Sequence, residues 1–299
     1  MTRREIDSHH FETSNEDKLL FPDVGITKGE VIEYTERIAE HALPWLTGRP
    51  LTLQRFPDGI SKDGFYQKQA SAHFPDWIRR VEIEKVEGGR QELVVADSAA
   101  SLAYLANQGT ISWHPWLSKE SSPHRPDQMI IDLDPADEDF GAVREAARAC
   151  RRLLDELELE ALIKTTGSRG VHLLIPLDGK SDFDTVRAFA RDCMDVLARR
   201  HPETLTTEIR KDERRGRLFL DVARNAYGQT AVAPYSLRAL PGAPIATPID
   251  WDELGSLEAR SFHLKNIFRR LGQREDPWAR APKAVALKSA RARLEELDE

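Results

Sequence analysis

The clearest alternation of apolar and polar positions lies in the middle of the chain, where two helical patterns follow short apolar runs. After Asp139, apolar residues recur every three or four positions as far as Leu157, which predicts a helix with Asp139 as its cap. A second helical pattern runs to Leu197, opened by Ser181 and Asp184, which resemble a capping box. Strand-like runs flank the helices at 129–134, 161–166, 171–177 and 205–209.

This order is β-α-β-β-α-β, the split arrangement of ferredoxin-like and RNA-recognition-type sheets. In such sheets the first and third strands lie side by side at the centre. A further strand is predicted at Leu218–Val222, before a proline-rich segment and a basic helical tail. The pattern therefore predicts an α+β fold around an RNA-recognition-like antiparallel sheet.

The part of the chain before this unit predicts a smaller mixed α/β module. Residues 1–26 are polar and are expected to be irregular, and Thr27 with Glu30 forms a capping-box pattern for a helix over about 28–42. Strands are predicted at 51–56, 65–69, 81–85 and 92–96, and a helix at 99–107.

The pattern divides the chain into three segments, which are expected to form one compact unit. Residues 1–115 form the N-terminal module, residues 116–255 the RNA-recognition-like module, and residues 256–299 the basic helical segment. We expect the catalytic chemistry in the middle segment.

Composition narrows the class of protein. The 299 residues carry a net charge of −7, and no apolar run approaches the ~20 residues needed to span a bilayer. The first twelve residues have no apolar signal-peptide core, so a cytoplasmic, nucleoid-associated protein without a membrane partner is expected. Cys150 and Cys193 are the two cysteines, both on apolar helix faces, which excludes a disulfide framework.

Three aspartates are the strongest candidates for chemistry. Asp132 and Asp134 are two residues apart on a strand, so both carboxylates point to one face, and Asp221 ends a later strand. Neighbouring carboxylates repel each other unless a cation neutralises them, and hard divalent cations prefer oxygen ligands. Three carboxylates that hold two metals are one arrangement used for phosphoryl or nucleotidyl transfer.

Two alternatives compete with a metal site. An Asp-x-Asp pair is by itself a weak signal and is also typical of a polar strand end before a proline turn, here Pro135. The same pair opens haloacid-dehalogenase-like phosphatases. There the pair sits early in a Rossmann-like unit, and Thr or Val normally stands two residues after the second aspartate, where this sequence has Ala136. The residues at 137 and 138 are expected in a solvated turn.

The segment Lys164–His172, KTTGSRGVH, is a candidate phosphate cradle. Two glycines allow a tight turn with exposed N–H groups, while Thr166 and Arg169 add a hydroxyl and a guanidinium. His172 follows on the strand that is expected beside the Asp-x-Asp strand. An ordinary turn with a core histidine is the alternative. Further candidates near phosphate are Arg224, Arg238 and His114.

Taken together, these motifs resemble the polymerase domain of bacterial ligase D and its stand-alone relatives, in the archaeo-eukaryotic primase superfamily. The stretches that carry the resemblance run in family order from about residue 15 to 280. They include DKLLFPDVGITKGEVIEYTERIA, RPLTLQRFPDGI, GFYQKQA, ISWHPWLS, RPDQMIIDLDP, IKTTGSRGVHLLIPL and FLDVARNAYGQTAVAPYSLRALPGAPIATPIDWDEL. Such a set is far more specific than Asp-x-Asp alone.

The resemblance implies a primase-polymerase fold and a nucleotidyltransferase that extends DNA 3′ ends, preferring ribonucleotides, with a two-metal Mn²⁺ or Mg²⁺ site. It implies metal ligation by Asp132, Asp134 and Asp221, and a 5′-phosphate contact by Lys18 and Lys28. Phe65 and Tyr66 would stack on a template base. The implied nucleotide-binding residues are His114, Thr166, Ser168, Arg169, His172, Arg224, Arg238 and, more weakly, Arg55.

The resemblance also implies partners. These are gapped or broken DNA with a 5′-phosphate, NTP or dNTP substrates, and Ku with a separate ATP-dependent ligase in non-homologous end joining. A Lys-x-Asp-Gly ligase motif does not occur in the sequence. Thr166 and Arg169 stand where many relatives carry Ser and Lys, and Arg and Lys are not interchangeable. A non-catalytic module that binds DNA ends and recruits a ligase is the rival class.

The net charge is an average over segregated patches. Residues 130–160 hold 10 acidic and 4 basic residues, whereas residues 260–293 hold 10 basic and 2 acidic ones. The acidic patch contains the expected metal ligands, and the basic tail is expected to lie along a phosphate backbone with salt-sensitive affinity.

Overall fold

A computed structural model describes residues 1–135 and 139–298, which divide into two compact units. Unit 1 comprises 1–116, 230–247 and 262–276, and unit 2 comprises 117–229, 248–261 and 277–299. The chain thus returns twice to unit 1 after entering unit 2. Asp137 and Glu138, which the sequence assigns to a solvated turn, lie outside the described residues.

Unit 1 contains two short hairpins, a five-stranded sheet and three helices. The hairpin strands are β1 (Thr2–Ile6), β2 (His9–Thr13), β3 (Leu19–Phe21) and β4 (Ile26–Thr27). The sheet strands are β5 (Pro50–Arg55), β6 (Phe65–Gln67), β7 (Arg80–Glu84), β8 (Arg90–Val95) and β9 (Thr110–Pro115). The helices are α1 (Lys28–Leu46), α2 (Ala99–Asn107) and, later in the chain, α5 (Ile267–Gln273).

The hairpins correct the expectation that residues 1–26 are irregular. Asp7 and Ser8 join β1 to β2 with φ values of 48° and 64°, the left-handed pair of a two-residue hairpin turn. Neither residue is glycine or asparagine, and each strand is five residues or shorter, so the sequence carries little of the usual hairpin signal.

The α1 capping box of Thr27 and Glu30 is confirmed, with both reciprocal hydrogen bonds present. The helix continues to Leu46, beyond the expected end near 42, and it contains Pro44 in its last turn. One apolar face of α1 packs with α2 in the core of unit 1, which also contains Leu51 and Leu53 of β5. The Tyr34 hydroxyl donates to the Tyr235 carbonyl at 2.6 Å inside this core, which ties α1 to the 230–247 segment.

Unit 2 is built on a six-stranded sheet with three helices. Its strands are β10 (Gln128–Asp134), β11 (Leu162–Thr165), β12 (Val171–Pro176), β13 (Leu205–Thr206), β14 (Leu218–Asp221) and β15 (Pro248–Ile249). Its helices are α3 (Phe140–Glu156), α4 (Phe183–Arg200) and α6 (Leu287–Asp298). Within the described residues, no helix is long and apolar enough to cross a membrane.

The strand order β13-β14-β10-β12-β11-β15 contains the expected RNA-recognition-like arrangement, with β10 and β12 antiparallel at the centre. The strand beside β10 is β14, which pairs with it antiparallel, whereas β13 lies outside β14 and pairs parallel. The fourth position of the motif therefore belongs to Leu218–Asp221. The predicted strand at 205–209 is only two residues long and forms the sheet edge.

Helices α3 and α4 both start at an aspartate cap. The Asp139 side chain accepts hydrogen bonds from the N–H groups of Gly141 and Ala142, as the sequence predicts. For α4 the expected Ser181–Asp184 box is wrong, because Asp182 is the cap and accepts from the Thr185 N–H. Asp is as good a cap as Ser, and the choice depends on where the chain turns after β12.

The C-terminal segment does not form one continuous basic tail. Helix α5 belongs to unit 1, whereas residues 277–298 lie on unit 2, where Val285 bridges to Leu177. In α6, Arg291 pairs with Asp192 at 3.1 Å, and Arg293 pairs with Glu158. Part of the positive charge that was expected along a DNA backbone is thus engaged within the protein.

One buried amide secures the Asp-x-Asp strand. β14 pairs with β10 only from Asp132 onwards, so the outward N–H and carbonyl of Ile130 have no strand partner on that side. Asn225, which is fully buried, supplies both missing bonds: its Oδ1 accepts from the Ile130 N–H at 2.8 Å, and its Nδ2 donates to the Ile130 carbonyl at 2.6 Å.

Replacement of Asn225 by Ala is expected to lower the free energy of unfolding by about 2–4 kcal/mol, because two buried backbone groups lose their partners. Urea denaturation measures this. Gln229→Ala, at an exposed position of the same loop, is the matched control and should change stability by less than about 0.5 kcal/mol. Equal stabilities of the two variants would contradict the role of the amide.

Candidate active site

An aspartate near the end of β10 and the last residue of β14 lie directly opposite each other. Asp132 on β10 and Asp221 on β14 are cross-strand partners, and directly opposite residues share one face of a sheet with Cβ atoms about 5 Å apart. Asp132 is 8 % exposed, whereas Asp221 is only partly buried and accepts from the Ala223 N–H at 2.7 Å. Like charges so placed are unfavourable without a cation.

Cationic and polar groups surround Asp132. His172, opposite it on β12, places Nε2 3.4 Å from Asp132 Oδ1, and Arg224 places Nε 3.6 Å from Oδ2. Burial by itself raises the pKa of Asp132, but His172, Arg224 and Lys164 together bring that pKa down to about 2. The carboxylate is therefore ionised at neutral pH and available as an oxygen ligand.

Burial acts in the opposite direction on the histidine. It disfavours the imidazolium, and the charge of Lys164 disfavours it further, so the pKa of His172 falls to about 4 despite the nearby carboxylate. His172 is thus neutral at pH 7. Its buried Nδ1 has no hydrogen-bond partner among the described residues.

Asp134 is held by a different partner. Its Oδ2 lies 2.7 Å from Arg169 NH2, and both side chains are less than half exposed. In the part of the chain that the structure describes, no three His, Cys, Asp or Glu side chains converge as a ready-made metal site. The donor chemistry still fits hard divalent cations, because Asp132 and Asp221 face each other and Asp134 shares their strand face.

The turn between β11 and β12 is tied to the aspartate strand by a close backbone approach. A Cβ on Gly170 would lie 2.0 Å from the Leu133 carbonyl oxygen, so only glycine fits there. The Thr166 hydroxyl donates to the Gly170 carbonyl at 3.1 Å and accepts from the N–H groups of Ser168 and Gly170. Thr166 therefore shapes the turn, and Ser168 and Arg169 project from it at partly exposed positions.

The remaining candidate residues lie in unit 1. His114 is on β9, which is anchored to the 233–238 segment by Ser112 Oγ donating to the Leu237 carbonyl at 2.5 Å. The Trp113 N–H donates to Ser236 Oγ at 2.8 Å. The same local scaffold thus holds His114 and Arg238. The Arg55 guanidinium is engaged by the Gln108 carbonyl and by Gln67 Oε1.

Two pairs of residues that are expected to contact a DNA end, Phe65 with Tyr66 and Lys18 with Lys28, lie in unit 1. Phe65 and Tyr66 on β6 are 47 % and 59 % exposed, large values for aromatic rings, and the Tyr66 ring centroid lies 5.6 Å from that of His114. The Lys28 N–H donates to the Lys18 carbonyl at 2.8 Å. Burial and then the Lys18 charge lower the pKa of Lys28, which indicates two cations near one another.

Sequence reasoning missed two residues that shape the site. Asn225 lies in the ARNAYG segment and Lys164 begins the KTTGSRG segment, but neither receives a role from spacing alone. A charged residue inside the apolar strand β11 is the signal that could have drawn attention to Lys164.

An antiparallel RNA-recognition-like sheet with Asp132 opposite Asp221 beside a glycine turn is typical of the primase-polymerase class of folds. It also excludes the haloacid-dehalogenase alternative, which requires a parallel Rossmann-like sheet. The chain belongs to the family "LigD, primase-polymerase domain", whose model matches residues 27–278.

Relatives agree with this assignment. The chain is 35 % identical over 270 residues to the multifunctional non-homologous end joining protein LigD of Pseudomonas aeruginosa, with 89 % of this chain and 32 % of that protein covered. It is 31 % identical over 266 residues to the LigD of Mycolicibacterium smegmatis, with 88 % and 35 % covered. The chain thus spans about a third of the length of these curated relatives.

A solved structure is similar across the fold. The polymerase domain of Mycobacterium tuberculosis ligase D in complex with DNA superposes with a TM-score of 0.84 at 30 % identity. The match covers 89 % of this chain and 96 % of that one.

Replacement of Gly170 by Ala is expected to lower the free energy of unfolding by about 2–3 kcal/mol, because the methyl group collides with the Leu133 carbonyl. Thermal or urea unfolding measures the change. Gly272→Ala is the matched control, since a Cβ there meets nothing within 4 Å on helix α5. A Gly170→Ala protein as stable as the control would show that the turn does not need this approach.

Proposed function

We propose that this chain is a metal-dependent polymerase that extends 3′ ends and fills gaps at 5′-phosphorylated DNA breaks, with a preference for ribonucleotides. The observation that carries the proposal is the direct opposition of Asp132 and Asp221 beside the Thr166–Gly170 turn. The relatives named for non-homologous end joining, and the similar domain solved with DNA, support the biological setting.

Asp132, Asp134 and Asp221 would hold two Mn²⁺ or Mg²⁺ ions in this proposal. Bound divalent cations would supply Lewis-acid stabilisation of the negative charge that develops on the transferring phosphoryl group. The ionised state of Asp132 at neutral pH, which its low pKa provides, suits this role. The protein's own contribution is to keep the carboxylates charged and correctly placed.

Thr166, Ser168, Arg169, His172 and Arg224 are the proposed nucleotide contacts of unit 2. Arg169 now pairs with Asp134, but an ion pair with both side chains at least 40 % exposed is weak. A triphosphate offers the guanidinium several oxygens and would compete with Asp134 for it. Loss of that pair would remove the Arg169 charge from Asp134 and favour a cation there, which would couple nucleotide and metal binding.

His114, Arg238 and Arg55 are the proposed nucleotide contacts of unit 1, and Phe65 with Tyr66 would stack on a template base. The exposure of both rings supports the stacking role, because a core aromatic would be covered. Arg55 has a structural task through Gln108 and Gln67, so we assign it a supporting role in holding β5 and β6 together.

The proposed partners are a gapped or broken duplex with a 5′-phosphate, NTP or dNTP, Ku, and an ATP-dependent ligase activity. The rival function, a non-catalytic module that recruits a ligase to DNA ends, would not need ionised carboxylates. An incorporation assay distinguishes the two functions, because only a polymerase would add labelled nucleotide to a gapped duplex in a metal-dependent way. The assay is run with ribo- and deoxyribonucleotides and with both metals.

Asp132→Asn is expected to reduce incorporation by at least about a thousandfold while the protein still binds 5′-phosphorylated DNA, because the metal ligand is lost and the DNA-end residues are intact. Gel-based primer extension and fluorescence anisotropy measure the two properties. Asp155→Asn, at an exposed position on α3, is the matched carboxylate control. Retained incorporation in Asp132→Asn would overturn the assignment.

Replacement of both Lys18 and Lys28 by Ala should remove the preference for a 5′-phosphate at the break, since two neighbouring cations are lost. Anisotropy titrations with matched phosphorylated and unphosphorylated duplexes measure the preference. Lys62→Ala is the control for a general loss of positive charge. The idea fails if wild-type protein binds both duplexes equally.

A further inference from the structure

Four ionisable residues form one row across the sheet of unit 2. Asp221 lies opposite Asp132, Asp132 lies opposite His172, and His172 lies opposite Lys164, one residue on each of β14, β10, β12 and β11. Because directly opposite residues share a face, all four lie on the same face of the sheet. The row has two carboxylates at one end and an ammonium group at the other.

Exposure falls steadily along the row toward the lysine. Asp221 is partly exposed, Asp132 is 8 % exposed, His172 4 % and Lys164 1 %. Lys164 is one of the largest fully buried side chains of the described chain, so a substrate arriving from solvent does not touch it. Its effect on chemistry must pass through its neighbours.

Burial of an ammonium group is unfavourable unless nearby charges or hydrogen bonds compensate it. The surrounding strand is otherwise apolar at Leu162 and Ile163, so solubility does not explain a lysine at this position. Within the row, the groups of opposite charge are the carboxylates of Asp132 and Asp221. The Lys164 charge is among the influences that lower the pKa of Asp132, after His172 and Arg224, and it also lowers that of His172.

We propose that Lys164 is a positioning residue: a buried counter-charge that holds the opposed Asp132 and Asp221 together before a cation enters and weakens cation binding to the free enzyme. This inference rests on the proposed metal-binding role of the aspartates. It predicts that a cation binds stably only when a nucleoside triphosphate has added its negative charge to the site.

The expected change in cation affinity follows from the spacing between the strands. Lys164 is two strands from Asp132, about 10 Å at 4.8 Å per strand. Across that distance in a partly buried, salt-containing setting, one positive charge is expected to weaken divalent-cation binding on the order of tenfold. Removal of the charge should therefore strengthen binding, whereas a general structural defect would weaken it.

The test is Mn²⁺ titration of the full chain without nucleotide, followed by the electron paramagnetic resonance signal of free Mn²⁺. In Lys164→Met, which keeps an unbranched side chain of similar length, the Kd for Mn²⁺ should fall about tenfold relative to wild type. Leu162→Met, on the same strand, is the matched control for repacking and should leave the Kd unchanged. Lys164→Gln is a second neutral variant, expected to shift the Kd in the same direction.

Unchanged or weaker Mn²⁺ binding in either folded neutral variant would overturn the proposal. The measurement does not use turnover, so it also separates this inference from the proposed function. Tighter Mn²⁺ binding in the variants together with no nucleotide incorporation by wild type would support the counter-charge while rejecting the polymerase. Nucleotide incorporation by wild type, with no shift in the Kd for Mn²⁺ in the variants, would support the polymerase and reject the counter-charge.

Discussion

The opposition of Asp132 and Asp221 across two neighbouring strands is the interaction on which the rest of the site depends. Two carboxylates in that position repel each other, so the fold must hold them by other means. Strand pairing fixes their backbones, Arg224 and His172 lie beside Asp132, and Lys164 ends the row. The groups around Asp132 more than offset the effect of burial and keep this carboxylate ionised, with a pKa of about 2.

That arrangement explains several backbone details nearby. β14 reaches β10 only at the aspartate end, and Asn225 substitutes for the missing strand pairing at Ile130. Gly170 lets the turn after β11 approach the Leu133 carbonyl, so the phosphate-side residues sit against the aspartate strand. Both residues act on the backbone, and neither carries charge or a reactive group. Their substitution should therefore be felt first in stability.

In unit 1, hydrogen bonds from β9 and α1 hold the 230–247 segment in place. The 230–247 segment leaves unit 2, joins β9 through Ser112 and Ser236, and receives the Tyr34 hydroxyl at Tyr235. Tyr235 adopts a left-handed backbone with φ of 61°, unusual for an aromatic residue, within this anchored stretch. Tyr235 is fully buried, so the packing around it holds this strained backbone conformation. The same anchored segment carries Arg238.

The sequence by itself determined the helices, the strand order around β10 and β12, and the family, because hydrophobic period and contiguous motifs are local properties. It also placed Asp132 next to His172 through the known order of the split motif. Only the tertiary structure decided which strand fills the fourth position, which aspartate caps α4, and that residues 1–26 form hairpins. These choices depend on pairing energies between distant segments, which local composition does not encode. The roles of Asn225 and Lys164 became visible for the same reason, since each depends on a partner strand that the sequence does not name.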